Sequence, residues 1–160
     1  MADTFSKIYI QVIFSVSGRK SLINPDWEDE LHKYLTGIIQ AKNQKVIAIN
    51  GTRDHIHIFI GMKPTCCLSD LVREVKKSSS AFIKKKRLSP YYFSWQNGFG
   101  AFSYGHSQLD QVIHYINYQK EHHKKRTFRE EYIDFLKKFS VDFNDDYLFE
   151  WIEDFDGKNE

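Results

Sequence analysis

From Ser6 to Ser15 the chain reads Ser-Lys-Ile-Tyr-Ile-Gln-Val-Ile-Phe-Ser, β-branched and aromatic enough for a central strand. Asn24-Pro25 then opens a helix, with Asn24 as cap and Pro25 at its first position; Trp27, Leu31, Tyr34, Leu35 and Ile38 form its apolar stripe. Lys45–Asn50 reads as a strand, Gly51-Thr52-Arg53-Asp54 as a turn, and His55–Gly61 as the returning strand. Leu68, Leu71, Val72, Val75, Phe82 and Ile83 mark a second helix, and the glycine-punctuated stretch Phe93–Tyr104 a hairpin or bulged strand. Ser107 with Asp110 caps a third helix whose buried stripe is Leu109, Val112, Ile113 and Ile116. Thr127 with Glu130 starts a fourth, carrying Phe128, Tyr132, Phe135, Leu136 and Phe139. The order β-α-β-β-α-β, then helices, predicts an α+β fold. It is the ferredoxin-like, RRM-like split β-α-β arrangement, an antiparallel sheet with helices on one face plus C-terminal helices. Residues 5–127 are expected as one domain and 128–160 as an acidic helical extension, part of which docks through Phe143, Tyr147, Leu148 and Trp151.

Composition narrows the class. Hydrophobic residues at 41% and aromatics at 16% supply a core and exclude intrinsic disorder, while three prolines and eight glycines exclude low-complexity and collagen-like chains. No apolar run approaches the roughly 18–20 residues of a membrane span, and the first residues lack a signal peptide's layout. Cys66 and Cys67 are adjacent, which suits neither a disulfide framework nor a zinc knuckle. A soluble, cytoplasmic protein without membrane partners is expected. The charge is polarised: residues 1–129 carry 20 Lys/Arg against 10 Asp/Glu, or +10, whereas 130–160 carry 3 against 11, or −8. A basic body of this kind fits a polyanion, and equally a polarised solvated surface.

The sharpest local feature is Asp54-His55-Ile56-His57-Ile58-Phe59-Ile60. Strand alternation sends the three isoleucines to one face and both histidines to the other, two positions apart and within reach of one divalent ion. The competing reading is a pair of hydrogen-bonded structural histidines. On the third helix Tyr115 and Gln119 stand four residues apart on one face, at the margin of the apolar stripe. A Gln oxygen would complete a nitrogen/oxygen site for Mg2+ or Mn2+, with water filling the remaining positions. A phenol beside such an ion serves as a nucleophile. The plainer readings are a packing tyrosine and a solvated glutamine. Tyr118, the rival nucleophile, lies about 100° around the helix from Gln119.

His55-Ile56-His57, followed in order by Tyr115-Ile116-Asn117-Tyr118-Gln119, resembles the HUH-type single-tyrosine transposases of small bacterial insertion sequences and their repeat-associated relatives. The likeness runs through Trp95-Gln96-Asn97-Gly98-Phe99-Gly100-Ala101-Phe102-Ser103 and covers about residues 5–130. It implies cutting and rejoining of single-stranded DNA at hairpin-bearing ends. In that chemistry Tyr115 forms a 5′-phosphotyrosine, and His55, His57 and Gln119 hold the divalent metal. It also implies a homodimer, in which the tyrosine helix serves the histidine site of its own chain or of its partner. The rivals are a domesticated repeat-associated endonuclease of the same chemistry, and a non-catalytic nucleic-acid-binding RRM-like module. Arg73, Lys76, Lys77, Lys84 and Lys85 on the second helix are expected to track the DNA backbone, and Arg53 to reach the scissile phosphate or cap its turn. His122 and His123 are expected chiefly as an exposed basic helix end.

Overall fold

A computed structural model describes residues 1–152. Four strands, β1 (Ile8–Ser15), β2 (Lys45–Gly51), β3 (His55–Met62) and β4 (Gly100–Tyr104), form one antiparallel sheet in the order β2-β3-β1-β4. That order is the split β-α-β arrangement expected from the sequence. The stretch before β4 contributes a single isolated bridge, Val16 with Trp95, in place of a full hairpin.

Register decides what each face carries. Ile10, Val12 and Phe14 of β1 sit opposite Ile60, Ile58 and Ile56 of β3. Because directly paired residues share a face, these six build the apolar side. Helices α1 (Pro25–Ala41) and α2 (Leu68–Lys85) cover it, with Trp27, Leu31, Leu35 and Ile39 of α1 and Leu71, Val72, Val75 and Ile83 of α2 buried. Tyr34 stacks on Phe82 between the two helices, ring centroids 3.9 Å apart. The α1 cap is as expected: Asn24 Oδ1 accepts from the Asp26 N–H at 2.8 Å, with Pro25 at the first position.

The opposite face carries Asn50, His57, Ile13 and Gly100 in one row across all four strands, and Ala48, Phe59, Gln11 and Phe102 in the next. Three C-terminal helices cover it: α3 (Leu109–Asn117), α4 (Gln119–His122) and α5 (Phe128–Lys138). Val112 and Ile116 of α3 pack on Phe59 and Ala48, and Phe135 of α5 stacks on Phe102 at 5.1 Å. The histidine strand is therefore buried on both faces. The segment after residue 127 is no mere appendage, since Phe128, Tyr132, Phe135 and Leu136 belong to the core.

Three local expectations change. The turn before α3 closes through Gln108 Oε1 on the Gly105 N–H at 2.9 Å, so Ser107 and Asp110 are not its cap; the side chain one residue further on reaches back better from this short 3-10 turn. Tyr118 leaves helical geometry, φ −103° and ψ 22°, and divides the expected single helix into α3 and α4. Of the four expected docking residues, Leu148 and Trp151 pack on the core together with Phe149, whereas Phe143 and Tyr147 stay exposed. Among the described residues no helix is long and apolar enough to cross a membrane.

Candidate active site

Gly51 begins the turn that aims β3. A side chain there is impossible without movement, because a Cβ would lie 2.2 Å from the His55 carbonyl oxygen. His55 Nδ1 lies 2.7 Å from Asp54 Oδ1 and 3.0 Å from Thr52 Oγ1, while the Thr52 hydroxyl donates to Asp54 at 2.7 Å. A carboxylate only accepts, so His55 carries a proton on Nδ1 and turns Nε2 inward. His57 Nδ1 lies 2.7 Å from Gln11 Oε1, and the Gln11 amide donates its N–H to Tyr104 at 3.0 Å. The same logic puts the His57 proton on Nδ1 and leaves its Nε2 facing inward. Both imidazoles are fully buried, and His55 also stacks on Phe128 at 3.9 Å.

The helix that carries Tyr115 arrives from across the sheet. Asn50, beside His57 in the sheet, donates to the carbonyls of Ile116 and Asn117 at 3.0 and 3.1 Å and so holds the end of α3. Lys120 pins α4 through Glu28 of α1, Asn50 and the Gly51 carbonyl. Thus fixed, Gln119 is fully buried with Oε1 3.2 Å from His55 Nε2. Tyr115, half-buried, turns its hydroxyl to the same centre. Tyr118 faces solvent and packs on His114 instead. All four residues singled out from the sequence therefore converge within one chain.

At their meeting point lies a residue that the sequence reading missed. Glu131 of α5 is fully buried. Its Oε1 is 3.0 Å from His57 Nε2, 3.4 Å from His55 Nε2 and 3.0 Å from His123 Nε2. Its Oε2 accepts from the Gln119 amide at 3.0 Å and from the Tyr115 hydroxyl. A signal existed: Phe128, Glu131, Tyr132 and Phe135 share one helical stripe, and a carboxylate amid an apolar stripe needs buried partners. His123, expected as part of an exposed helix end, faces this centre because α4 and the following turn fold back under α5. His122 stacks on the Tyr115 ring at 4.7 Å.

The electrostatics point to a cation. Burial opposes charge on His55, but Asp54 and then Glu131 outweigh it and hold that pKa up, at about 9. Burial prevails at His57, whose pKa is lowered although Glu131 pulls the other way. Burial also opposes charge on Glu131, yet the surrounding histidines, His57 first, keep the carboxyl well below the usual range. A neutral His57 with its proton on Nδ1 sets an Nε2 lone pair against a carboxylate oxygen at 3.0 Å, an acceptor facing an acceptor. A divalent ion bound between them would relieve that contact. The ligand atoms of His55, His57 and Glu131 all lie within 4.8 Å of one another, Gln119 Oε1 adjoins them, and both rings are oriented from behind by Asp54 and Gln11. Two nitrogens and carboxylate or amide oxygens form a donor set that could hold a divalent metal ion. The phenol of Tyr115 is pushed up, by burial first and then by the Glu131 charge, while the Arg126 guanidinium, 3.1 Å from its oxygen, pulls it down.

The family model described as "Transposase IS200 like" matches residues 4–119. This chain belongs to the IS200-like transposase family. Its fold is similar to a candidate transposase from Deinococcus radiodurans R1, at 18% identity and TM-score 0.59, over 74% of this chain and 95% of that one. It is also similar to a REP-associated tyrosine transposase bound to a REP hairpin, at 14% identity and TM-score 0.58, over 94% and 93%. No curated protein compared with it matches.

Two groups of cations stand out in this transposase. Those of α2 lie on the sheet side away from the histidines. Lys77, Lys84 and Lys85 are exposed there, and Arg73 is exposed but paired with Asp70 at 2.9 Å. Lys76 is committed elsewhere: its ammonium donates to the Gln96 and Gly98 carbonyls and lies over the Phe14 ring, fastening the stretch before β4. The second group, to which the Arg53 expected near the scissile phosphate belongs, borders the site. Arg53, Lys120, Lys124, Lys125, Arg126 and Arg129 line a cleft of about 670 Å³ beside His123. Of the ring cluster before β4, Phe93 and Trp95 are core, with the Trp95 indole donating to Ser79 at 3.0 Å, whereas Tyr91 and Tyr92 are exposed.

Proposed function

We propose that this transposase cuts and rejoins single-stranded DNA at hairpin-bearing ends through a 5′-phosphotyrosine on Tyr115, with Mg2+ or Mn2+ held by His55, His57, Glu131 and Gln119. The observation that carries this reading is the meeting of phenol, amide and two imidazoles on one buried carboxylate. A divalent ion bound there supplies charge stabilisation for a phosphate oxygen. The residues do the rest. Tyr115 Oη attacks phosphorus in line, the bond from phosphorus to the 3′-oxygen breaks, and Glu131 Oε2, already accepting from the phenol, takes its proton. The released 3′-oxygen gains a proton from water. Arg126 offsets the charge that develops on the phenol and the phosphate. A 3′-hydroxyl attacking the phosphotyrosine reverses the sequence and reseals a strand without ATP.

The set is complete within one chain, so a homodimer, implied by family likeness, would not need to exchange nucleophiles. The exposed lysines of α2 suit the backbone of a hairpin stem. The same chemistry serves a repeat-associated endonuclease, a reading favoured by the likeness over 94% of the chain to the REP-associated protein. A base-stacking RRM-like module is disfavoured, because α3–α5 cover the sheet face it would use.

Labelled single-stranded hairpin DNA with Mn2+ or Mg2+, run on a denaturing gel, tests the reading. Wild type should form a covalent adduct. Tyr115→Phe should bind without forming one, and His55→Ala with His57→Ala should lose cleavage with a smaller loss of binding. An adduct that survives Tyr115→Phe would overturn it.

A further inference from the structure

Tyr115 is half-buried and so is not closed off from solvent. It lies in the wall of a cavity of about 390 Å³ between the end of β4, the first turn of α3 and α5. Resting on the transposase reading above, we propose that this cavity is a nucleobase pocket. Its occupant is the base of the nucleotide whose 5′-phosphate becomes bonded to Tyr115, and Gln111 reads that base's edge.

Position argues for it first. A nucleotide joined to Tyr115 through its phosphate keeps sugar and base within one residue's length of the phenol, and the cavity is the space on that side. Its volume is that of a small-ligand site, enough for one base and too small for a paired stem. Its walls supply what an unstacked base needs: the rings of Tyr104 and Phe135 as apolar surface, and side-chain amides for the edge.

The amides are not equivalent. Gln11 is spent on His57 and Tyr104, and Gln108 Oε1 is spent on Gly105. Gln111, three residues along the same helix face, is exposed in the cavity wall, and among the described residues its side chain makes no hydrogen bond. It offers one donor and one acceptor side by side, the pairing that matches the N6/N7 edge of adenine. Backbone continuity fits as well. Arg126 lines both this cavity and the basic cleft, so a strand with its base in the pocket passes its next phosphates to Lys124, Lys125 and Arg129.

Two readouts test the pocket. In the first, wild type and Gln111 variants cleave single-stranded hairpin DNA randomised at the nucleotides flanking the cut, and the adducts are sequenced. Wild type should favour adenine immediately 3′ of the cut. Gln111→Ala should lose that preference by about ten- to a hundredfold while other positions keep theirs, and Gln111→Glu, an acceptor only, should turn it toward cytosine. In the second, 5′-phosphorylated tetranucleotides differing only in their first base bind Tyr115→Phe, with and without Gln111→Ala, by calorimetry. The first base should matter only while Gln111 is present. Adducts whose base profile and tetranucleotide affinities both ignore Gln111 would overturn the pocket and leave the chemistry standing. Base-dependent binding without any adduct would uphold the pocket and overturn the chemistry, and failure of both readouts would overturn both.

Discussion

Glu131→Gln isolates the charge at the centre of the site. The substitution keeps shape and one acceptor oxygen but replaces the other with an amide that faces donors. Wild-type Glu131 accepts from His123 at Oε1 and from Gln119 and Tyr115 at Oε2, while His57 Nε2 lies 3.0 Å from Oε1. Losing the pair at one oxygen removes two charge-assisted bonds, each worth about 1.5–3 kcal/mol, and the relief of no longer burying a carboxylate offsets part of that. A net loss of about 2–3 kcal/mol follows, or a fall in Tm of about 5–10 °C for a chain of this size. The measurement is thermal unfolding in chelator.

Repeating it with Mn2+ separates ligand from scaffold. At a hundredfold excess over Kd, Mn2+ should stabilise wild type by about 2.7 kcal/mol. If the variant binds about a hundredfold more weakly, the same Mn2+ concentration yields only about 0.4 kcal/mol. A Glu131→Gln protein with wild-type Tm in chelator and a wild-type shift with Mn2+ would refute both the structural and the metal-binding role of the carboxylate.

The other predictions rest on single contacts. Because the His55 pKa is raised from 6.5 to about 9, its contribution, on the order of 3 kcal/mol, is complete below pH 6.5 and is lost as pH rises through about 9. Chelated wild type should therefore show a falling Tm over that window, and His55→Gln a flatter profile. Gly51→Ala should cost several kcal/mol and erase the Mn2+-induced shift, since its Cβ meets the His55 backbone and the strand must move. Paired Lys84→Glu and Lys85→Glu changes should weaken hairpin binding and reduce its salt slope by about 2, measured by anisotropy. Lys76→Met should instead lower Tm with an unchanged salt slope, because Lys76 holds the Gln96 and Gly98 carbonyls.

What could be read beforehand was local. Alternation along His55–Ile60 separated histidines from isoleucines, and Asn24 and Thr127 cap their helices through the expected N–H groups. Spacing placed Tyr115 and Gln119 on one face even though Tyr118 interrupts the helix, because backbone bonds from Tyr118 to His114 and from His122 to Tyr118 carry the twist across the break. Glu131 was hidden for a different reason. Its role depends on α5 crossing over β3, a contact between residues 74 apart in the chain that no helical period encodes. Lys76 and His123 escape a sequence reading for the same reason: neither position gives a sign whether solvent or a buried partner awaits it.

Burying so polar a centre in a sheet of this size is costly unless every member finds a partner, and the partners come from five elements. Gln11 of β1 and Asp54 just before β3 orient the imidazoles, Asn50 of β2 and Lys120 of α4 fix the helices that carry Tyr115 and Gln119, and Glu131 of α5 closes the set. Behind it Phe149 and Trp151 pack on Phe128, whose ring in turn stacks on His55. The contacts that stabilise the described C-terminal segment are thus continuous with those that position His55 and Glu131. The acidic bias after residue 129 accordingly has two components. Among the described residues, Glu131 is buried between the histidines and Tyr115, while Asp142, Asp145 and Asp146 remain in solvent away from them. Only the first joins the buried histidines, so the sequence's charge asymmetry marks the right segment without marking the right residue.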